Sequence, residues 1–155
     1  LGDVYKRQVF KNEPETVWLQ KPLKNGTSNL IIKDLNSSVS DFEKINLNDV
    51  VSLRDSIGKE FIPGRVENSY MITEKEYLPY ISYQTVNGFE AIETRGTWEV
   101  KGDYMGGPFI NYIIKDTLNN SLLYVEGFVF SPSQRKRDKM IELEAVIKSM
   151  VIGKR

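Results

Sequence analysis

The stretch YISYQTVNGFEAIETRGTWEVK, Tyr80 to Lys101, decides the fold. Asn87-Gly88 lies inside it, and this pair readily supplies the positive φ that both central residues of a type I′ turn require. Tyr80 to Val86 alternates on the way in, and Phe89 to Lys101 runs back. A period of two places Ile92, Thr94, Trp98 and Val100 on one face of the returning strand, with Gly96 between them. Ala91, Glu93, Arg95, Thr97 and Glu99 share the other face. The first face reads as buried and the second as wet.

Working outward, Phe109 to Lys115 and Leu122 to Phe130 read as another strand pair, joined by the polar run Asp116 to Asn120. Ser131-Pro132-Ser133 punctuates the chain, and a helix is expected from about Gln134 to Met150. Its apolar stripe is Met140, Leu143, Val146, Ile147 and Met150. Towards the N-terminus, Thr16 to Gln20 and Ser28 to Lys33 form a hairpin whose Lys24-Asn25-Gly26 loop is expected to exceed two residues. Asp34 to Ser40 reads as a polar loop. Asn46 is placed to cap a first helix, with Asp49 three residues on. Leu47, Val50, Val51, Ile57 and Phe61 recur at helical spacing, Gly58 weakens the end, and Pro63-Gly64 stops it.

Strands leading into helices, rather than alternating with them, give an α+β class. The expected architecture is a mainly antiparallel sheet of about six strands, a hairpin meander packed against two helices, the second of them C-terminal. Leu1 to Gln8 resembles a translated sequencing adapter and is set aside. Residues 9–155 then form a single domain, expected to be the C-terminal half of a longer protein.

The chain has 155 residues, with 21 basic and 21 acidic side chains, so its formal charge is zero. Duplex-binding domains carry a basic excess, so nucleic acid is not an expected partner. Histidine and cysteine are both absent. That removes the usual zinc ligands, the thiol nucleophile, the Ser-His-Asp arrangement and any disulfide. No metal and no cofactor are expected. No apolar run approaches the roughly 18 residues that a membrane-spanning helix requires.

Candidate binding residues fall in three groups. Asp103, Met105, Gly106 and Gly107 lie between two strands, where paired glycines admit a ligand or simply make a sharp connection. A proline and a strand follow instead of a helix, which argues against a phosphate loop and for a structural turn. One of the two glycines, Gly106 in particular, is then expected at positive φ. Arg95 could grip a carboxylate or phosphate, although Glu93 beside it favours an ion pair within the face. Glu93 and Glu99 are about 20 Å apart along the strand, too far for a catalytic carboxylate pair. Arg135, Lys136 and Arg137 occupy the expected first turn of the second helix, the wrong sign for its dipole. They could bind an anion or a lipid headgroup, or be neutralised by Asp138 or a glutamate. Tyr70, Tyr77, Tyr80, Tyr83, Tyr104, Tyr112 and Tyr124 are expected to be mostly half-buried with wet hydroxyls.

Several segments together resemble a known family. They are Ile62-Pro63-Gly64 with Ser69-Tyr70-Met71, and Arg95-Gly96-Thr97-Trp98 leading to Met105-Gly106-Gly107-Pro108-Phe109. Gly127 to Pro132, Lys136-Arg137 and Leu143-Glu144-Ala145 add to these, as do Val17-Trp18-Leu19 and Arg54-Asp55-Ser56-Ile57. Nearly all of residues 9–155 is similar to the C-terminal half of domain of unknown function 4837, found in lipoproteins of Bacteroidetes. Ser131 departs from the family's alanine and is an N-cap candidate. The resemblance implies a location in the cell envelope and a lipid anchor supplied upstream, and it implies no activity.

The expected function is a non-enzymatic envelope domain that binds a protein or glycan, or that has a structural role. The alternatives are a carboxylate- or tyrosine-based enzyme acting on a saccharide or other envelope substrate, and a half-domain stable only against its other half. Trp98 is read as core rather than as a ligand platform. Trp98→Ala is therefore expected to lower the unfolding free energy by about 3–5 kcal/mol, read from urea titrations of both proteins.

Overall fold

The computed structural model describes residues 8–13, 16–132 and 135–155. Apart from Gln8, the stretch set aside as adapter lies outside the described residues. Eight strands, β1 (Gln8–Glu13), β2 (Thr16–Leu23), β3 (Gly26–Asp34), β4 (Tyr70–Thr73), β5 (Tyr80–Val86), β6 (Phe89–Lys101), β7 (Gly106–Asp116) and β8 (Ser121–Phe130), form one antiparallel sheet. Its order is β1-β2-β3-β8-β7-β6, with β4 along the C-terminal part of β6 and β5 along its N-terminal part. A 3-10 helix (Val39–Lys44), α1 (Leu47–Phe61) and α2 (Arg137–Lys148) complete the chain.

The α+β class and the hairpin meander agree with the sequence reading. Asn87 and Gly88 both have positive φ, 51° and 88°, so the two-residue turn forms as its residues require. Asn46 caps α1 reciprocally with Asp49, each side chain accepting from the other's backbone N–H at 2.9 Å. β4 escaped the sequence reading because four residues carry too short a pattern. The β2–β3 loop is tighter than expected, with Leu23 paired to Gly26 across Lys24-Asn25. The second helix begins at Arg137; Lys136 stands at its N-cap without a side-chain hydrogen bond. Ser131 is fully buried and does not cap it.

Helices pack on both faces of the sheet, so the face of β6 read as wet is buried at Ala91 and Glu93, while Thr97 stays exposed and Arg95 and Glu99 partly so. α1 packs on the face carrying Trp18, Ile31, Trp98, Phe109, Tyr124 and Phe128. α2 packs on the opposite face, over Leu30, Ala91, Ile110, Tyr112, Leu123 and Val125. Ala91 and Glu93 are buried there. Trp98 is 3% exposed, as its place in the alternation requires. Tyr70 is half-buried as expected, but most of the other tyrosines divide sharply. Tyr112 and Tyr124 are fully enclosed, while Tyr77, Tyr80, Tyr83 and Tyr104 are open to solvent.

Gly106 and Gly107 begin β7 rather than forming the turn, and neither has positive φ; Gly102, at φ 91°, does. The constraint on Gly107 is close approach. A Cβ there would collide with the Val129 carbonyl and press on the Trp98 indole, whereas Gly106 would meet only the Trp98 carbonyl, at 3.0 Å. The glycine pair is structural, but for packing rather than for φ.

The central surprise is Arg54. The helical stripe of α1 buries Val50, Arg54, Ile57, Gly58 and Phe61, and leaves Leu47 and Val51 partly exposed. Arg54 donates from Nε and Nη2 to the two oxygens of Glu126 on β8, at 2.5 and 2.9 Å, and from Nη1 to Thr73 on β4. Its guanidinium lies 3.5 Å over the Phe109 ring. Glu126 also accepts from Tyr124 at 3.0 Å and from Asn111 at 3.2 Å. Burial opposes the charge on Arg54, but the facing carboxylate outweighs it and raises its pKa. Removing one partner strands a charge in the core. Arg54→Met is expected to destabilise the fold by about 3–5 kcal/mol, and Arg54→Met with Glu126→Gln by clearly less. Urea titrations of the single and double variants check this, and equal losses would contradict the coupling.

Candidate functional site

α1 covers only part of its sheet face. Past its end, at Phe61, the face is finished by aromatic side chains and two loops, and between them lies a cleft of about 220 Å³. Its floor comes from alternate positions on the adjacent strands β2, β3 and β8 and, across Gly107 of β7, on β6. Trp18 and Gln20 project from β2, Thr27 and Asn29 from β3, Phe128 and Phe130 from β8, and Trp98 and Val100 from β6. Register makes them neighbours, because Gln20 pairs with Asn29, Asn29 with Phe128 and Thr27 with Phe130. Residues 62–65 wall one side, and Met105 closes another.

The aromatic rings hold one another in tilted or edge-on contact, with centroids 5.8 Å apart for Trp98 and Phe128, 6.1 Å for Trp98 and Phe130, and 6.3 Å for Trp18 and Phe128. Trp98 lies against the side-chain-free Gly107 and donates to the Val129 carbonyl at 3.2 Å. Asn29 organises the polar edge. Its oxygen accepts from the Trp18 indole and from Gln20, both at 3.0 Å, and its nitrogen donates to Thr27 at 3.0 Å. At the mouth Arg65 donates to Asp103 at 3.0 and 3.3 Å. That hydrogen bond holds the Asp103 carboxyl below its ordinary range.

The candidate residues from the sequence divide around this cleft. Met105 lines it, Asp103 braces its mouth through Arg65, and Gly107 seats Trp98, with Gly106 next to it. Arg95 lies on the opposite sheet face and is spoken for. It donates from Nε to Glu93 at 2.7 Å and from Nη2 to Glu144 of α2. Tyr112 donates to the same Glu93 at 2.6 Å. Burial disfavours the Arg95 charge, but the bonds to Glu93 and Glu144 outweigh it and raise the pKa. Burial, followed by the adjacent carboxylate, pushes the Tyr112 phenol up. Arg135, Lys136 and Arg137 are also remote from the cleft, in a shallow surface hollow with Asp138 and Ile141, and none forms an ion pair with a described carboxylate. Trp18, Asn29, Phe128, Phe130 and Arg65 were not singled out as site residues. Their alternation was visible, but only strand register brings them together.

Among the described residues no group of three or more acidic side chains could hold a metal ion, and no helix is long and apolar enough to cross a membrane.

Fold and cleft together define a class of α+β domain, a two-sided antiparallel sheet with an apolar pocket at the open end of one face. The sequence profile of Domain of unknown function (DUF4837) matches residues 4–149, and the chain belongs to that family. No curated protein and no solved structure matches it.

The Arg95–Glu144 contact makes stability depend on pH. Hydrogen bonds from Arg95 and then Lys148 hold the Glu144 carboxyl below its ordinary 4.5. Its contribution is therefore present above about pH 4.5 and is lost as pH falls through the lower folded value. Glu144→Gln is expected to lower the melting temperature at pH 7 and to narrow the gap from the parent as the pH drops below 4. Melts at both pH values check this.

Proposed function

We propose that this chain is a non-enzymatic binding domain of the cell envelope, and that its aromatic cleft receives an apolar group of a partner protein. The lining of the cleft carries this reading. Trp18, Ile62, Met71, Trp98, Val100, Phe128 and Phe130 offer carbon surface, while the polar atoms of Asn29 are already bonded to neighbouring side chains. A saccharide would need open hydrogen-bonding groups, whereas the Asn29 amide at the polar edge is already bonded to Trp18, Gln20 and Thr27. An enzyme would need a carboxylate or phenol free to move a proton. The buried carboxylates Glu93 and Glu126 are each held by an arginine and a tyrosine, and the phenols of Tyr112 and Tyr124 are pushed up by burial. The envelope location, and the anchor upstream that it needs, rest on the resemblance to Bacteroidetes lipoproteins.

The chain's only two tryptophans both line the cleft, so their fluorescence reports on it directly. Titration with the neutral apolar dye N-phenyl-1-naphthylamine is expected to quench them saturably, and Met105→Phe should weaken that binding several-fold by filling the wall. Oligosaccharides should leave the emission unchanged. Saturable binding of a sugar, or dye binding indifferent to Met105→Phe, would overturn the assignment.

A further inference from the structure

Among the described residues, the outer edge of β5 is open and unguarded. The turn at Asn87-Gly88 closes on the Val86–Phe89 pair, so Val86, Gln84, Ser82 and Tyr80 exchange hydrogen bonds with β6. Ile81, Tyr83 and Thr85 therefore aim their N–H and C=O groups outward. Among the described residues no backbone group meets them.

The neighbouring stretch of the same edge is treated differently. On β4 the outward N–H of Met71 reaches the Ile62 carbonyl at 3.1 Å, and that of Thr73 reaches Asp55 at 2.7 Å. At the far edge, β1 breaks register with a bulge after Val9. Charges, bulges and covering groups are the usual protection of sheet edges. β5, Tyr-Ile-Ser-Tyr-Gln-Thr-Val, has no charge, no proline and no break in register, and its Tyr80 and Tyr83 are 62% and 70% exposed.

We infer that β5 pairs with β5 of a second copy of this chain, antiparallel and centred on Tyr83, joining the two sheets edge to edge. Backbone chemistry restricts the occupant to an extended strand, and self-complementarity selects the second copy. With Tyr83 on the two-fold axis, Ile81 faces Thr85 of the partner and Tyr83 faces its equivalent, so every outward group of the three residues finds a partner. Displacing the strands from this centre leaves outward groups unmatched. The same register sets Tyr80 beside the partner's Val86 and Ser82 beside its Gln84. No like charges meet anywhere along the strand. The pairing is independent of the cleft.

The absence of cysteine gives a clean test. Across the axis the two Tyr83 Cα atoms would lie about 5.5 Å apart, within the roughly 4.4–6.8 Å that a disulfide spans. Two Tyr80 positions would be about 20 Å apart. Under mild oxidation Tyr83→Cys is expected to give a covalent dimer, and Tyr80→Cys is not. In sedimentation velocity the parent should shift from monomer to dimer with concentration. Tyr83→Pro, which deletes the central outward N–H, should remain monomeric with an unchanged circular dichroism spectrum; Tyr83→Lys serves if that variant does not fold. A parent that stays monomeric at its highest soluble concentration overturns the inference. So do equal cross-linking at both positions and a dimer that survives both Tyr83 variants.

Discussion

An arginine side chain enclosed in a protein interior is tolerable only when a carboxylate meets it in good geometry. Arg54 meets that condition by engaging both oxygens of Glu126 while its guanidinium stacks on Phe109 and touches Thr73. This one group thereby ties α1 to β8 and β7 near the middle of the sheet and to β4 at its edge. Helix orientation is consequently not left to apolar packing, which is non-directional. An apolar stripe could slide along the sheet face, but a bidentate ion pair in a dry interior cannot slide without exposing a charge to carbon.

The other face repeats the chemistry at lower stakes. There Arg95, Glu93, Tyr112 and Glu144 join β6 and β7 to α2. On each face an arginine engages a buried glutamate that also accepts a tyrosine hydroxyl. The faces differ in solvent access, since the Arg95 side chain is 30% exposed and Arg54 only 2%. Screening discounts the outer group, which trims stability with pH, while the inner one sets the architecture. In both clusters the buried carboxylate, Glu93 or Glu126, is bonded to an arginine and a tyrosine.

With the sheet held in this way, its unfinished parts stand out. α1 ends at Phe61, short of the aromatic end of its face, and what remains there is a cleft whose polar edge has already been satisfied internally. Among the described residues no backbone group covers the outer edge of β5, although β4 beside it is covered by α1 and the residues after it. Both are surfaces on which this fold has apolar or backbone hydrogen-bonding capacity left over, and they lie on different elements.

Local chemistry was legible in the chain itself. The Asn87-Gly88 turn, the Asn46–Asp49 cap, the buried place of Trp98 and the α+β class follow from residues within a few positions of one another. The absence of histidine and cysteine likewise narrowed the chemistry before any fold was considered. What needed the tertiary structure was everything that depends on register or on a distant partner. Nothing local marked Arg54 as a core residue, because the partner that makes its burial tolerable, Glu126, lies 72 residues away. Glu93 and Ala91 looked wet until α2 covered them. The role of Gly107 lay in the Val129 carbonyl that crosses it, not in its own φ. Periodicity states which residues share a face of one strand; only pairing between strands, set by packing of the whole sheet, states which faces meet.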